Sequence, residues 1–274
     1  MSTGGWARNL CRRVAGSSRL AAVFRHPIDA IPVGIMFVVF GAQLSVFLFL
    51  HDALRVLPAL VLLFPVQVNF AGVCHNHHHV STFRMRLANR AFEVVMFLQL
   101  GMLPFGYTLH HNIGHHRHYR DPARDSNRWH RRDGRPMGSW EFAVHLCLDM
   151  YPTVVRIGRR HPAIFRKFRR MAFVSTAVLL GLFAIDPVNA FLVFVLPLPF
   201  ALLLQAQATY WQHVGLEAHD AMGASRSVVD GLYNLRTLNL GYHTAHHVRP
   251  RLHWSKLPAL HAEIARAIPP ELIG

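Results

Sequence analysis

Ile31–Leu50, Val56–Cys74 and Val188–Trp211 run 20, 19 and 24 residues without a single charge. At 1.5 Å per helical residue, each crosses a hydrocarbon core of about 30 Å. No other feature of the chain constrains its fold as tightly. Met171–Ile185 is shorter, at 15 residues, but Arg169 and Arg170 ahead of it can snorkel to the interface. Val94–Leu109 is also uncharged, with Glu93 at its start and Gln99 inside, and reads as interfacial or re-entrant. The expected fold is therefore all-α, a polytopic membrane helix bundle in one domain over residues 1–274. Four spanning helices (31–50, 56–74, 171–185 and 188–211) form two hairpins. A basic tail occupies 1–27, and 94–109 lies in or near the interface.

Charge placement supports this layout. The hairpins leave only His51–Arg55 and Asp186–Pro187 on the far side, so 28 of the 29 Lys and Arg residues fall on the near side. That asymmetry marks the near side as cytoplasmic, with both termini there and the chain in a membrane such as a bacterial inner membrane. The formal charge of +15 thus reflects topology. A nucleic-acid partner would need a soluble basic domain, and none is visible. The three cysteines, Cys11, Cys74 and Cys147, lack CxxC spacing and suggest no disulfide framework, zinc ribbon or iron–sulfur centre. The first 25 residues hold five arginines and no apolar core, unlike a cleavable secretory signal.

On the near side, histidines recur in four places: "CHNHHHVSTF", "HNIGHH", "TYWQHVGLEAHD" and "GYHTAHHVRP". On a helix, residues i, i+3 and i+4 share a face. His75 with His79, His111 with His115, and His243 with His246 and His247 should therefore converge. The second histidine of each HH pair, such as His116 beside His115, points about 100° away. That offset suits two metal ions better than one. His213 stands alone in its segment, with His219 six residues on. His77, His78, His110 and His118 read as solvated neighbours or hydrogen-bond partners of the ligands. Imidazole suits zinc, copper, iron and nickel alike, so ligand type does not choose the metal. Soluble di-iron bundles use ExxH motifs, and none occurs here. A zinc protease would carry HExxH.

HxxxH, HxxxHH, a lone histidine after the last hairpin, and HxxHH together resemble the integral-membrane fatty-acid desaturase and hydroxylase superfamily. The similarity covers nearly the whole chain. "HNIGHH" followed by "RDPARD", and "QHVGL", resemble membrane alkane hydroxylases. "TYWQH…AHD" and "GYHTAHH" equally resemble acyl-lipid desaturases and carotenoid ketolases. The first box, HNHHH, departs from both the HD-type and the HE-type box. The resemblance implies two non-haem irons held by His75, His79, His111, His115, His116, His213, His243, His246 and His247, with O2 as co-substrate. It implies desaturation of a fatty-acyl or lipid chain, or hydroxylation on the same scaffold, with electrons from a ferredoxin, rubredoxin or cytochrome b5-like donor. An acidic donor would dock on the arginines of 117–135 and 156–170. Asn76, Asn112, Gln212, Asp121, Asp125, His219, Asp220 and Asp230 flank the boxes and are candidates to fix ligand rings by hydrogen bonds. Two other classes compete. A histidine-rich metal transporter or sensor predicts ionisable residues inside the spans, which the four spans lack. A membrane zinc hydrolase needs a carboxylate by the ligands, for which only Glu217 is near.

Overall fold

The computed structural model describes residues 11–131, 133–216 and 220–274. Among these the chain is all-helical, with isolated bridges such as Phe24–Phe83 in place of sheets. The principal helices are α1 (Ala30–Phe49), α2 (Ala53–Gln67), α3 (Phe70–His79), α4 (Arg86–Leu100), α5 (Thr108–His115), α6 (Ser139–Arg160), α7 (Pro162–Ile185), α8 (Pro187–His213), α9 (Gly231–Thr237), α10 (His243–Val248) and α11 (Leu257–Ile264). Among the described residues, three helices are long and apolar enough to cross a membrane: α1 with the short turn before it, α7 and α8. A fourth span results if α2 and α3 count as one.

Proline placement explains much of this outline. Pro162 and Pro187 sit in the first turns of α7 and α8, where a missing N–H leaves no helical bond unmade. The spacing-based span over 171–185 is thus the second half of a 24-residue helix. Expected span 56–74 is a correction: α2 and α3 meet at a 46° bend. Pro65 removes a donor just before the break, and Asn69 Nδ2 donates to the Pro65 carbonyl at 2.6 Å. Segment 94–109 is not one element either. It divides at Gly101, left-handed at φ 76°, into the end of α4 and the start of α5.

Polar side chains clamp the apolar helices together. Pro197 cannot donate to the carbonyl of Val193, and Gln43 Nε2 on α1 supplies that bond at 3.0 Å. At one end of the bundle, Asn189 Nδ2 donates to the carbonyls of Phe47 and Leu50 at 2.8 and 2.6 Å, capping the end of α1. His51 Nδ1 lies 3.4 Å from Asp186 Oδ2 across the two hairpin turns. The turns therefore share one end, and the histidine-bearing ends of α3 and α8 lie at the other. There Asp29, ahead of α1, accepts from His253 Nε2 at 3.0 Å and Trp254 Nε1 at 2.7 Å, joining the C-terminal segment to the bundle.

Candidate metal centre

Among the described residues, four helices contribute imidazoles. His75 and His79 lie one turn apart at the end of α3. His111, His115 and His116 come from α5 and its cap, His213 is the last residue of α8, and His243, His246 and His247 lie on α10. α10 is short but pinned: Thr244 Oγ1 lies 3.1 Å from the hydroxyls of both Ser225 and Ser227. Before it, Gly241 packs so closely on the Val228 carbonyl and the Asn234 amide that a Cβ has no room.

The imidazoles fall into two groups. His75, His79, His111, His116 and His246 form the first; His115, His213 and His247 form the second. Within each group the ligand atoms lie within 4.8 Å of one another. His243 joins the second, its Nε2 at 3.0 Å from His213 Nε2 and 3.1 Å from His247 Nε2. Spacing rules for an α-helix put His111 with His115, and the structure separates them. α5 is a π-helix, and the His116 amide bonds the His111 carbonyl five residues back at 2.9 Å. That wider turn brings i and i+5 together and sends His115 to the other group. On α10, His243 and His247 share a face at i, i+4, and His246 points to the first group. Each HH pair therefore serves both groups.

The nitrogen contacts favour a cation over hydrogen bonds. His213, His243 and His247 place three Nε2 atoms 3.0, 3.1 and 3.2 Å apart in a closed triangle. A neutral imidazole nitrogen is either donor or acceptor, so at least one pair in any triangle must clash. Three lone pairs turned on one ion remove the conflict. In the first group, Nε2–Nε2 contacts run His75–His111 3.0 Å, His111–His116 3.0 Å and His116–His246 2.9 Å. Ligands about 2.1 Å from an ion and at right angles stand about 3.0 Å apart, whereas a tetrahedral pair stands about 3.4 Å apart. Five donors also exceed the four that close a structural zinc site. His79 Nε2 is buried and meets no hydrogen-bond partner. The donor set fits two ions of higher coordination.

Electrostatics keeps these donors available. Burial holds His115 down at about 3 and His116 at about 2. Burial, and then repulsion from neighbouring imidazoles, holds His111, His243, His246 and His247 well below the usual histidine value. All are neutral near pH 7, with lone pairs free. Asp125 Oδ1 accepts from His115 Nδ1 at 2.9 Å, which aims Nε2 inward. Burial raises that carboxyl to about 6. His213 Nδ1 donates to the Ala224 carbonyl at 3.0 Å.

Asn76 meets the His75 side chain, as expected of a residue that fixes a ligand ring, and its Nδ2 also reaches the Leu238 carbonyl at 3.4 Å; Asn112 Nδ2 bonds the His78 carbonyl at 2.9 Å instead. Asp121, Asp220 and Asp230 accept backbone amides in turns and at the α9 cap. Gln212 lines a cavity, and His219 lies outside the described residues. His77 and His110 are buried, contrary to a solvated reading. His77 bonds Thr82 Oγ1 at 2.9 Å and lies 3.3 Å from Glu93 Oε1, whose other oxygen is paired with Arg90. Sequence reasoning passed over this Arg90–Glu93–His77 chain, buried at Glu93 and His77. The signal was available: a lone acid opening an apolar stretch needs a partner. Tyr107 and Tyr119, with rings 4.6 Å from His111 and 4.2 Å from His247, were also not singled out.

A cavity of about 370 Å³ reaches both groups, touching His75 and His111 on one side and His115 and His243 on the other. Its walls are mostly apolar and come from the α2–α3 bend, α6 and α8. Leu204 and Ala208 of α8 line it and are also exposed, so its mouth opens on the flank of an apolar span.

No curated protein and no solved structure matches the chain. Residues 52–273 match the fatty acid desaturase pattern, a stretch holding every histidine of both groups, and the chain therefore belongs to the fatty acid desaturase family.

Proposed function

We propose that this chain is a membrane di-iron oxidoreductase that uses O2 to desaturate a fatty-acyl or lipid chain. The observation that carries the reading is two groups of imidazoles on one apolar cavity whose mouth opens along a membrane span. His75, His79, His111, His116 and His246 would hold one iron, and His115, His213, His243 and His247 the other. Bound there, the irons would supply the O2 reduction and C–H cleavage that no side chain in the site can perform, with further electrons from an external donor. The protein's part is positional. Asp125 and the Ala224 carbonyl fix the tautomers of His115 and His213, so that Nε2 faces the centre. The apolar walls align a hydrocarbon beside both groups and keep bulk water out. The histidine end faces the cytoplasm on this reading, where the arginines of 117–135 and 156–170 meet an acidic donor.

Hydroxylation on the same scaffold is the second reading, favoured by the likeness of "HNIGHH" and "QHVGL" to alkane hydroxylases. Purified protein is expected to carry close to two irons per chain, and His115→Ala or His246→Ala to abolish turnover. Lipid mass spectrometry under labelled O2 separates the outcomes. Loss of two hydrogens means desaturation, and gain of one labelled oxygen means hydroxylation. Full occupancy by zinc or copper without iron, after native expression, would sink both.

A further inference from the structure

The exposed lining residues of the cavity, Leu204 and Ala208, are apolar, and buried polar side chains line it as well. Leu202, Leu204 and Ala208 belong to the apolar span α8. Inside, Asn127 and His110 line the same space while exposing only 4% and 7% of their surface. Asn127 Oδ1 is buried with no hydrogen-bond partner. A buried amide oxygen left unpaired costs about 1–3 kcal/mol, so such a group calls for an occupant that satisfies it. A hydrocarbon alone cannot. His110 adds a donor and an acceptor from its ring, and its backbone is fixed by Ser126 Oγ, which donates to the His110 carbonyl at 2.8 Å.

Both residues stand close to the second histidine group. The backbone N–H of Asn127 donates to Asp125 Oδ1 at 2.9 Å, the same oxygen that receives His115 Nδ1. Asn127 is thus anchored to the carboxylate that orients a ligand ring. Asn127 is also buried, whereas Leu204 and Ala208 of the same lining are exposed. A phosphate headgroup is too large and too strongly hydrated to be drawn there. A single hydroxyl fits, because it donates to Asn127 Oδ1 and accepts from the imidazole.

We propose that the cavity selects a hydroxyl-bearing lipid, entering hydroxyl first, with Asn127 and His110 binding that hydroxyl beside the reacting carbon. This assignment rests on the oxidoreductase reading and names its substrate class. A site built around one hydroxyl discriminates strongly against the analogue lacking it, because its own polar groups are then left unpaired.

The test compares 1-octadecanol with octadecane, which differ only in the hydroxyl. Full-length iron-loaded protein in phosphatidylcholine nanodiscs is titrated with each under anaerobic conditions, so that binding is read without turnover. Octadecanol is expected to bind at least about 10-fold more tightly. Asn127→Leu is expected to reduce that preference below about 3-fold without weakening octadecane binding. His110→Phe is expected to act in the same direction. Equal binding of the two probes by the native chain overturns the proposal, whatever the variants do, as does an undiminished preference in a folded Asn127→Leu. Admitting O2 and reductant then checks the parent reading separately. If alcohol, alkane and phospholipid acyl chain all emerge unoxidised from an iron-loaded protein, the oxidoreductase reading fails even where the binding preference stands.

Discussion

The second histidine group is aimed by hydrogen bonds at two corners, His115 on the Asp125 carboxylate and His213 on the Ala224 carbonyl. In the first group, His116 leaves Nδ1 buried without a partner, and apart from Asn76 beside His75 the rings are held by one another. His79 stands 4.6–5.2 Å, ring centre to ring centre, from His75, His111, His116 and His246. The first group is thus positioned by packing and by the close seating of α3, whereas the second has directed polar bonds at two of its four rings, His243 and His247 leaving Nδ1 buried without a partner. Packing resists small changes of volume poorly, whereas a hydrogen bond fails when its partner's charge is removed.

Four substitutions test that contrast. The largest effect is expected from His247→Ala, which leaves the second group three imidazoles. Iron should fall from two to one per chain and turnover should vanish, read by metal analysis and lipid mass spectrometry. A variant still holding two irons would break the division into groups. Asp125→Asn keeps the shape but removes the anion that orients His115. It should weaken iron binding at the second group by about 10–100-fold and spare the first, measured by competition with a chelator. Gly72→Ala probes the first group through packing, because a Cβ there would stand 2.5 Å from the Thr237 carbonyl. Pushing α3 from α9 should cost about 1–3 kcal/mol in thermal unfolding, with iron lost from the first group before the second. The smallest effect is expected for Asn112→Ala, whose side chain bonds the His78 carbonyl and no ligand ring. Iron affinity should change by less than about 3-fold, far below the loss from removing a ring's own partner.

The helical class, the outlines of α1 and α8 and the concentration of histidines at one end were legible because hydropathy and ligand spacing are written locally. The division of the ligands was not. It depends on α5 winding as a π-helix, and nothing in "TLHHNIGH" separates that winding from an α-turn. The bend between α2 and α3 had a cue in Pro65, but Val56–Cys74 read as one span because length alone was counted. Asn127 was invisible for another reason. Its importance comes from a cavity assembled by α6, α8 and the α2–α3 bend, and no local pattern announces a polar atom left unpaired among distant helices. Asp125 was found because it follows its ligand box closely; His253 takes as its partner Asp29, which chain order does not suggest.

The pairs His115–His116 and His246–His247 each place neighbouring residues in different groups, with ring centres 5.5 and 5.6 Å apart. Two peptide bonds on two separate elements therefore act as rulers between the groups. Consecutive Cα atoms sit a fixed 3.8 Å apart, a length that neither heat nor a change in ionic charge can stretch. Two groups joined by covalent bonds on both flanks are therefore tied in spacing at their backbones, however the helices that carry them are packed.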